Sequence, residues 1–205
     1  MHQIVFKISE KEAISFDLSN DINAIYPCDE IVIKFSTPNQ DYTLSIDCIR
    51  EDMESLYHIL TKAINNEAQL HESITKDVGY LWNEEMQNKP GLTYFKIENM
   101  DYWVGLRNLI WSTRANAKPI LSTWLYNDLS GSIILEITPS YPWHTKDPEE
   151  GEKFVSYEEW MKAYQPLFLC PIAHAIALSW KDQAETILNQ LNKNVHEFNI
   201  KSKKG

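Results

Sequence analysis

Apolar and polar residues alternate in four short segments along the first fifty positions of the chain. A period of two places every second side chain on the same face of a β-strand. The pattern therefore predicts an antiparallel meander of four strands with one face in water. The apolar positions are Ile4, Phe6 and Ile8; Ile14, Phe16 and Leu18; Ile31, Ile33 and Phe35; and Leu44, Ile46 and Cys48.

The spacing of apolar residues then lengthens to three and four, which is typical of an amphipathic helix. The stripe includes Met53, Leu56, Leu60 and Ala63, and it predicts a first helix over residues 50–69. A second helix is predicted around residues 80–86. Its stop is the Pro90-Gly91 pair, because proline and glycine interrupt helices.

Residues 92–138 are rich in β-branched and aromatic side chains, which favour strands. Strands are predicted over 94–97, 103–111, 120–126 and 133–138, with a turn at 127–131. No stretch between them is long enough for a helical crossover. The pattern therefore predicts continued antiparallel pairing, in one large sheet or two smaller ones.

The chain changes character at Pro139, where prolines and a run of acidic residues indicate an irregular loop. Ser156 and Glu159 have the spacing of a capping box and predict a short helix that ends at Pro166. A longer helix with an apolar stripe over 176–191 follows, and Pro171 suits its first turn. The elements predict an α+β fold in a single domain, residues 1–205, with a subdomain division near 87–91 left open.

Composition and cysteine usage favour a cytoplasmic protein. Hydrophobic residues make up 43% of the 205 positions, as in ordinary globular proteins. The three cysteines are widely spaced and predict reduced, buried thiols rather than a disulfide framework or zinc ligands. The first ten residues lack the apolar core of a signal peptide, and no apolar run approaches the roughly 20 residues that span a bilayer.

Acidic residues dominate the charge, with 29 Asp and Glu against 19 Lys and Arg, a formal net charge of −10. Phosphates would repel such a chain, so direct binding of nucleic acid is not expected. The excess is concentrated in residues 1–60, which carry 11 acidic and 4 basic side chains. Such charge either keeps the protein in solution or forms a face that attracts a basic partner.

Motifs of catalysis and cofactor binding are missing from the sequence. The six glycines are scattered rather than clustered in a phosphate-binding loop, and there is no G-x-S-x-G nucleophile frame. Cys170 and His174 have helical i, i+4 spacing and are either a nucleophile with its base or a buried thiol near a histidine. The sequence therefore predicts no catalytic residues, no cofactor and no enzyme.

Metal-binding patterns are also missing, since the six histidines show no H-x-x-x-H spacing. His144 lies near Asp147, Glu149 and Glu150, which makes this loop the densest group of hard ligands. It lacks the calcium-loop pattern, and a charged loop in water is the alternative interpretation. No metal site is predicted.

Two stretches carry a family resemblance, with the acidic loop between them. Residues 133–143 read IILEITPSYPW, and residues 156–166 read SYEEWMKAYQP. The chain resembles the immunity proteins of bacterial polymorphic-toxin systems, especially those of contact-dependent growth inhibition. The resemblance covers about the C-terminal half by motif and the rest by layout. It implies stoichiometric binding to the toxic domain of a cognate effector, often a basic nuclease, whose active site or substrate-docking surface is blocked.

The resemblance supplies no site residues, so the contact candidates come from charge and aromatic content. They lie in the loop after residue 142 and in the N-terminal meander: Trp143, Asp147, Glu149, Glu150 and Glu152, and Asp17, Asp21, Asp29 and Glu30. Two other hypotheses stay open. One is an enzyme or small-molecule pocket lined by aromatics, with Glu136 or Asp101 as polar contacts, and the other is a subunit of a larger assembly.

Overall fold

The computed structural model of the chain describes residues 2–72, 74–88, 95–97, 100–102, 107–113, 118–144 and 147–202. The predicted α+β class is confirmed: antiparallel sheets and helices form the fold. The strands are β1 (His2–Lys7), β2 (Ala13–Leu18), β3 (Glu30–Ser36), β4 (Asp41–Cys48), β5 (Phe95–Ile97), β6 (Met100–Tyr102), β7 (Leu109–Ser112), β8 (Leu121–Asn127), β9 (Ile133–Pro139) and β10 (Phe168–Ile172). The helices are α1 (Ile49–Ile64), α2 (Val78–Asn88), α3 (Tyr157–Lys162) and α4 (His174–Ser202).

The first sheet is the predicted meander, with strand order β1-β2-β3-β4 and antiparallel pairing throughout. Phe16 is paired with Ile4 on one side and Ile33 on the other, so the alternating apolar residues of β1 to β3 share one face. Phe6, Phe16 and Ile33 are buried there. The alternation in β1 to β3 therefore corresponds to one face in the core, whereas a register shift between β3 and β4 turns Ile46 to the face opposite Ile33, so the predicted apolar face of β4 is wrong at this position.

Helix α1 follows β4 directly and turns its apolar stripe toward the same core. Met53, Leu56 and Leu60 have no exposed surface. The helix ends at Ile64, earlier than the predicted residue 69. The reason is local, because Asn66 adopts the left-handed conformation with φ of 59°, which asparagine tolerates and which stops the helix.

The second sheet has the order β10-β9-β8-β7 and is antiparallel. Every residue of β8 is buried, because both faces of this sheet are covered. Leu121 and Leu125 face the main core, which α1, α4 and the first sheet share. Trp124 and Tyr126 face the other way and form a smaller cluster with Val78 and Leu81 of α2. The predicted second helix is thus the cover of this outer face.

Strand β10 was not predicted, and the expectation that Pro171 begins a helix is wrong. Pro171 pairs with Ile134 at the edge of the second sheet, where a residue without an N–H is tolerated. Helix α4 begins at His174. Cys170 and His174 therefore do not share a helix, and their i, i+4 spacing has no structural meaning.

Two other expectations concern cysteines and the middle of the chain. The thiols are free, but the expectation of burial is wrong: Cys28 is exposed, and Cys48 and Cys170 are partly exposed. They lie in a loop, at a strand end and on an edge strand, where neighbours do not enclose them. Strands β5 and β6 form a separate two-stranded ribbon. Residues 89–94 and 103–106, which include the possible division and the start of a predicted strand, lie outside the described residues.

Candidate functional site

The loop that connects β9 to α3 contains residues 143–152, here called the acidic loop. The carboxylate of Glu152 connects three parts of this region. One carboxylate oxygen accepts hydrogen bonds from Trp143 Nε1 at 3.4 Å and from the Glu149 backbone N–H at 3.0 Å, and the other lies 3.0 Å from Lys118 Nζ. The Glu149 N–H and Lys118 lower the pKa of Glu152 to about 2. Glu152 therefore holds the loop together and is only slightly exposed itself.

The other described acids of the loop lie at the surface. Asp147, Glu149 and Glu150 are all exposed. Phe154, with 56% of its surface exposed, packs against the half-buried ring of Trp143 with centroids 5.3 Å apart. The loop therefore presents three carboxylates and an aromatic pair of which Phe154 is exposed, a composition common at protein interfaces.

The beginning of this loop is anchored on α2 by a buried asparagine. Asn83 Oδ1 accepts a hydrogen bond from the Tyr141 N–H at 2.7 Å, and Asn83 Nδ2 donates to the carbonyls of Gly79 and Pro139. His144 Nε2 lies 3.3 Å from the same Oδ1 atom. Burial lowers the pKa of His144 to about 4, so its ring is neutral at pH 7.

A cluster of aromatic rings around Tyr141 packs against the acidic loop. Tyr141 makes edge contacts with Trp143, Tyr157 and Trp160, with centroids 5.5 Å apart in each case. Its hydroxyl donates to the Val155 carbonyl at 2.8 Å. The Ser156 hydroxyl accepts the Glu159 N–H as the capping-box pattern predicts, which fixes the start of α3. The acidic loop is therefore held at both ends.

Glu136, the carboxylate proposed to line a pocket, is wholly buried in β9. It accepts hydrogen bonds from the backbone N–H groups of Val78 and Gly79, at 3.1 and 2.6 Å, and from the Tyr126 hydroxyl at 2.8 Å. The residue thus caps the N-terminus of α2 and joins the helix to the sheet. Burial nevertheless raises the pKa of Glu136 to about 7. The side chain of the other pocket candidate, Asp101 in β6, lies outside the described set.

The N-terminal acids divide into one internal and three peripheral residues. Asp17 is buried on β2, 2.6 Å from Lys34 Nζ and 2.9 Å from Gln3 Nε2, so it stabilises the first sheet. Asp21, Asp29 and Glu30 belong to the segment that leads into β3. The Asp21 carboxylate is exposed and accepts the N–H of Asn23, while Asp29 accepts the N–H of Tyr26 at 2.8 Å. These acids are built on a different element from the acidic loop.

Several residues of these surfaces were missed by the sequence patterns. Asn83 is a polar residue inside the apolar stripe of α2, a combination that indicates a buried hydrogen-bonding role. The sequence gives no comparable sign for Phe154, Tyr26 and Phe198, because residue type alone does not distinguish an exposed aromatic from a buried one. Their exposure is a product of the tertiary structure.

The residue ranges that the structure describes contain neither a cluster of metal ligands nor a membrane-spanning helix. Nowhere in these ranges do three or more His, Cys, Asp or Glu side chains converge in a way that could hold a metal ion, and His144 with the neighbouring acids is no exception. Within the same ranges, none of the helices combines the length and the apolar character needed to cross a membrane.

Comparison of the chain with protein-family models, with curated protein sequences and with solved structures returned no significant match. The resemblance to immunity proteins therefore stays a prediction that rests on the residues quoted for it.

Proposed function

We propose that this protein is an immunity protein that binds the toxic domain of a cognate effector and neutralises it by stoichiometric occlusion. The observation that carries the proposal is the acidic loop, in which exposed Asp147, Glu149 and Glu150 stand beside Trp143 and Phe154. The toxic domain is proposed to be a nuclease, whose nucleic-acid site is basic. Carboxylates at the loop then take the place of phosphates.

The architecture of the loop suits inhibition by occupancy. Glu152 and Asn83 form hydrogen bonds near the two ends of the loop, which reduces the conformational entropy that binding costs. The exposed aromatic pair supplies apolar contact area, and the three carboxylates supply long-range attraction that accelerates association. Asp17 and Glu152 are placed in internal ion pairs and are assigned structural roles. Asp21, Asp29 and Glu30, the other contact candidates, lie on a second surface.

The test uses the full-length protein and the toxin domain encoded beside its gene, with affinity measured by calorimetry. Neutralising the loop in the triple variant Asp147→Asn, Glu149→Gln, Glu150→Gln is expected to weaken binding by roughly 10- to 100-fold. A matched control neutralises two exposed acids of α4, Asp182→Asn and Glu185→Gln. The control is expected to stay within about threefold of wild type.

Salt provides a second measurement of the same proposal. Raising ionic strength from 0.05 to 0.5 M is expected to weaken wild-type binding, while the loop variant loses most of this dependence. A truncation of the exposed ring, Phe154→Ala, is expected to weaken binding at all salt concentrations. Absence of any complex with the neighbouring toxin domain at low salt overturns the proposal.

A further inference from the structure

A second surface of the molecule combines exposed aromatic rings with a carboxylate. Tyr26 and Phe198 are 42% and 59% exposed, and their ring centroids are 5.6 Å apart. They line an open groove of about 620 Å³ between the segment 21–29 and the last turns of α4, here called the aromatic groove. Asp29 lies in its wall. Large aromatic rings left in water at a concave site are typical of binding surfaces.

The walls of the aromatic groove are fixed by hydrogen bonds rather than by the rings themselves. Asn194 Nδ2 donates to the carbonyls of Ile22 and Ile25, at 2.9 and 2.8 Å, and so ties the segment to α4. The Ile25 N–H donates to the Asp21 carbonyl at 3.0 Å, and the Asp29 N–H donates to the Tyr26 carbonyl at 2.9 Å. A ligand therefore meets a groove that is already formed.

Charge selects the class of ligand. The segment carries Asp21, Asp29 and Glu30 within ten residues, inside the part of the chain that has 11 acidic and 4 basic side chains. Asp29 uses one carboxylate oxygen to accept the Tyr26 N–H, and among the residues that the structure describes no hydrogen bond reaches its other oxygen. An anionic or neutral apolar ligand would leave this carboxylate desolvated without a partner, whereas a cation would pair with it.

We propose that the aromatic groove receives an arginine side chain presented by a partner protein. The two rings are tilted by 58° to each other, so the planar guanidinium stacks on one of them and contacts the edge of the other, and its N–H groups reach the carboxylate of Asp29. Arginine is favoured over lysine because it is planar, more weakly hydrated and better able to combine stacking with a carboxylate contact. The inference does not rest on the proposed function, since it concerns a separate surface and any partner that displays an arginine.

The test is an NMR titration of the isotopically labelled full-length protein with N-acetyl-arginine amide. A single side chain is expected to bind with a dissociation constant on the order of 1–10 mM, with shifts concentrated at Tyr26, Asp29 and Phe198. N-acetyl-citrulline amide has nearly the same shape but no charge, and it is expected to bind at least roughly fivefold more weakly.

Two variants separate the contributions without disturbing the fold. Asp29→Asn keeps an oxygen that accepts the Tyr26 N–H and removes only the charge, so it is expected to weaken arginine binding roughly fivefold. Phe198→Ala removes the exposed ring and is expected to weaken it by a similar factor. Neutralising Asp147, Glu149 and Glu150 in the acidic loop is the control and is expected to leave the titration unchanged.

Each other result overturns the inference. Equal binding of the arginine and citrulline amides would show that the groove does not distinguish a charged ligand from a neutral one. Chemical-shift changes confined to the acidic loop would show that the cation binds there and not in the groove. A concentration-dependent dimer that Phe198→Ala abolishes, seen by analytical ultracentrifugation, assigns the groove to a second copy of the chain. A variant that ends at Ser202 tests the basic tail, and altered resonances of Tyr26 in its unliganded spectrum assign the groove to that tail.

Discussion

Glu136 makes a prediction about stability that follows from its burial. Burial raises its pKa from an ordinary value of 4.5 to about 7 in the folded protein, while the unfolded chain keeps the ordinary value. A carboxyl group whose folded pKa is raised binds its proton more tightly in the folded state. Its contribution to stability is therefore fully present below pH 4.5 and is lost as the pH rises through 7.

The size of the effect follows from the two pKa values. One pKa unit corresponds to about 1.4 kcal/mol, so between pH 5 and pH 8 the free energy of unfolding is expected to fall by about 2 to 3 kcal/mol because of Glu136. The variant Glu136→Gln keeps the shape of the side chain and one oxygen for the N-terminus of α2, but it does not titrate. Its free energy of unfolding is expected to lack this decrease.

Urea unfolding of both proteins at half-unit steps from pH 5 to pH 8 measures the difference. His144 titrates in part of this window with the opposite sign, since its lowered pKa adds stability above pH 6.5 that is lost toward pH 4. The difference between wild type and Glu136→Gln at each pH cancels that contribution. A difference that stays constant over the whole range would refute the argument for a titrating carboxyl at this site.

Three further predictions concern the contacts around α2 and the acidic loop. Gly79→Ala places a methyl group against the Thr138 side chain and is expected to destabilise the protein by about 2–4 kcal/mol in urea unfolding, and Thr138→Ala, which removes Oγ1 and Cγ2 but keeps Cβ, is expected to restore part of the loss if overlap is the cause. Asn83→Ala leaves the buried Tyr141 N–H without its acceptor and is expected to cost about 2–4 kcal/mol, and a loss below about 0.5 kcal/mol contradicts the anchoring role. Glu152→Ala releases the acidic loop and is expected to accelerate hydrogen exchange of the Glu149 N–H roughly tenfold, whereas unchanged exchange would show that the loop is held by other contacts.

Local patterns in the sequence were sufficient for much of the fold. The first four strands and the start of α1 were predicted correctly, because side chains that face the core recur with the period of the strand or helix that carries them. The start of α3 was predicted for a similar reason, since Ser156 caps a helix three residues away in the chain. The acidic loop was also predicted as a charged stretch, but the hydrogen bonds and the ion pair that Glu152 forms within it were not predicted.

Long-range pairing decided the rest. Strand β10 exists because residues 168–172 pair with β9, 31 to 39 positions earlier in the chain, and Pro171 at that edge concealed it. Glu136 was a candidate for a pocket, but it lies beneath α2, where its carboxylate accepts the N–H of Gly79, 57 positions away.

The candidate sites show the same division between sequence and structure. Acidity and aromatic content were properties of the sequence, and they indicated a binding protein without catalytic motifs. The tertiary structure decided which acids face water. Lys34 on β3 pairs with Asp17 on the adjacent strand β2, whereas Asp29 lies in an open groove. Tyr26 and Phe198 meet only because α4 returns to the segment before β3. Periodicity records the local division between core and solvent, and it carries no information about which distant surfaces come together.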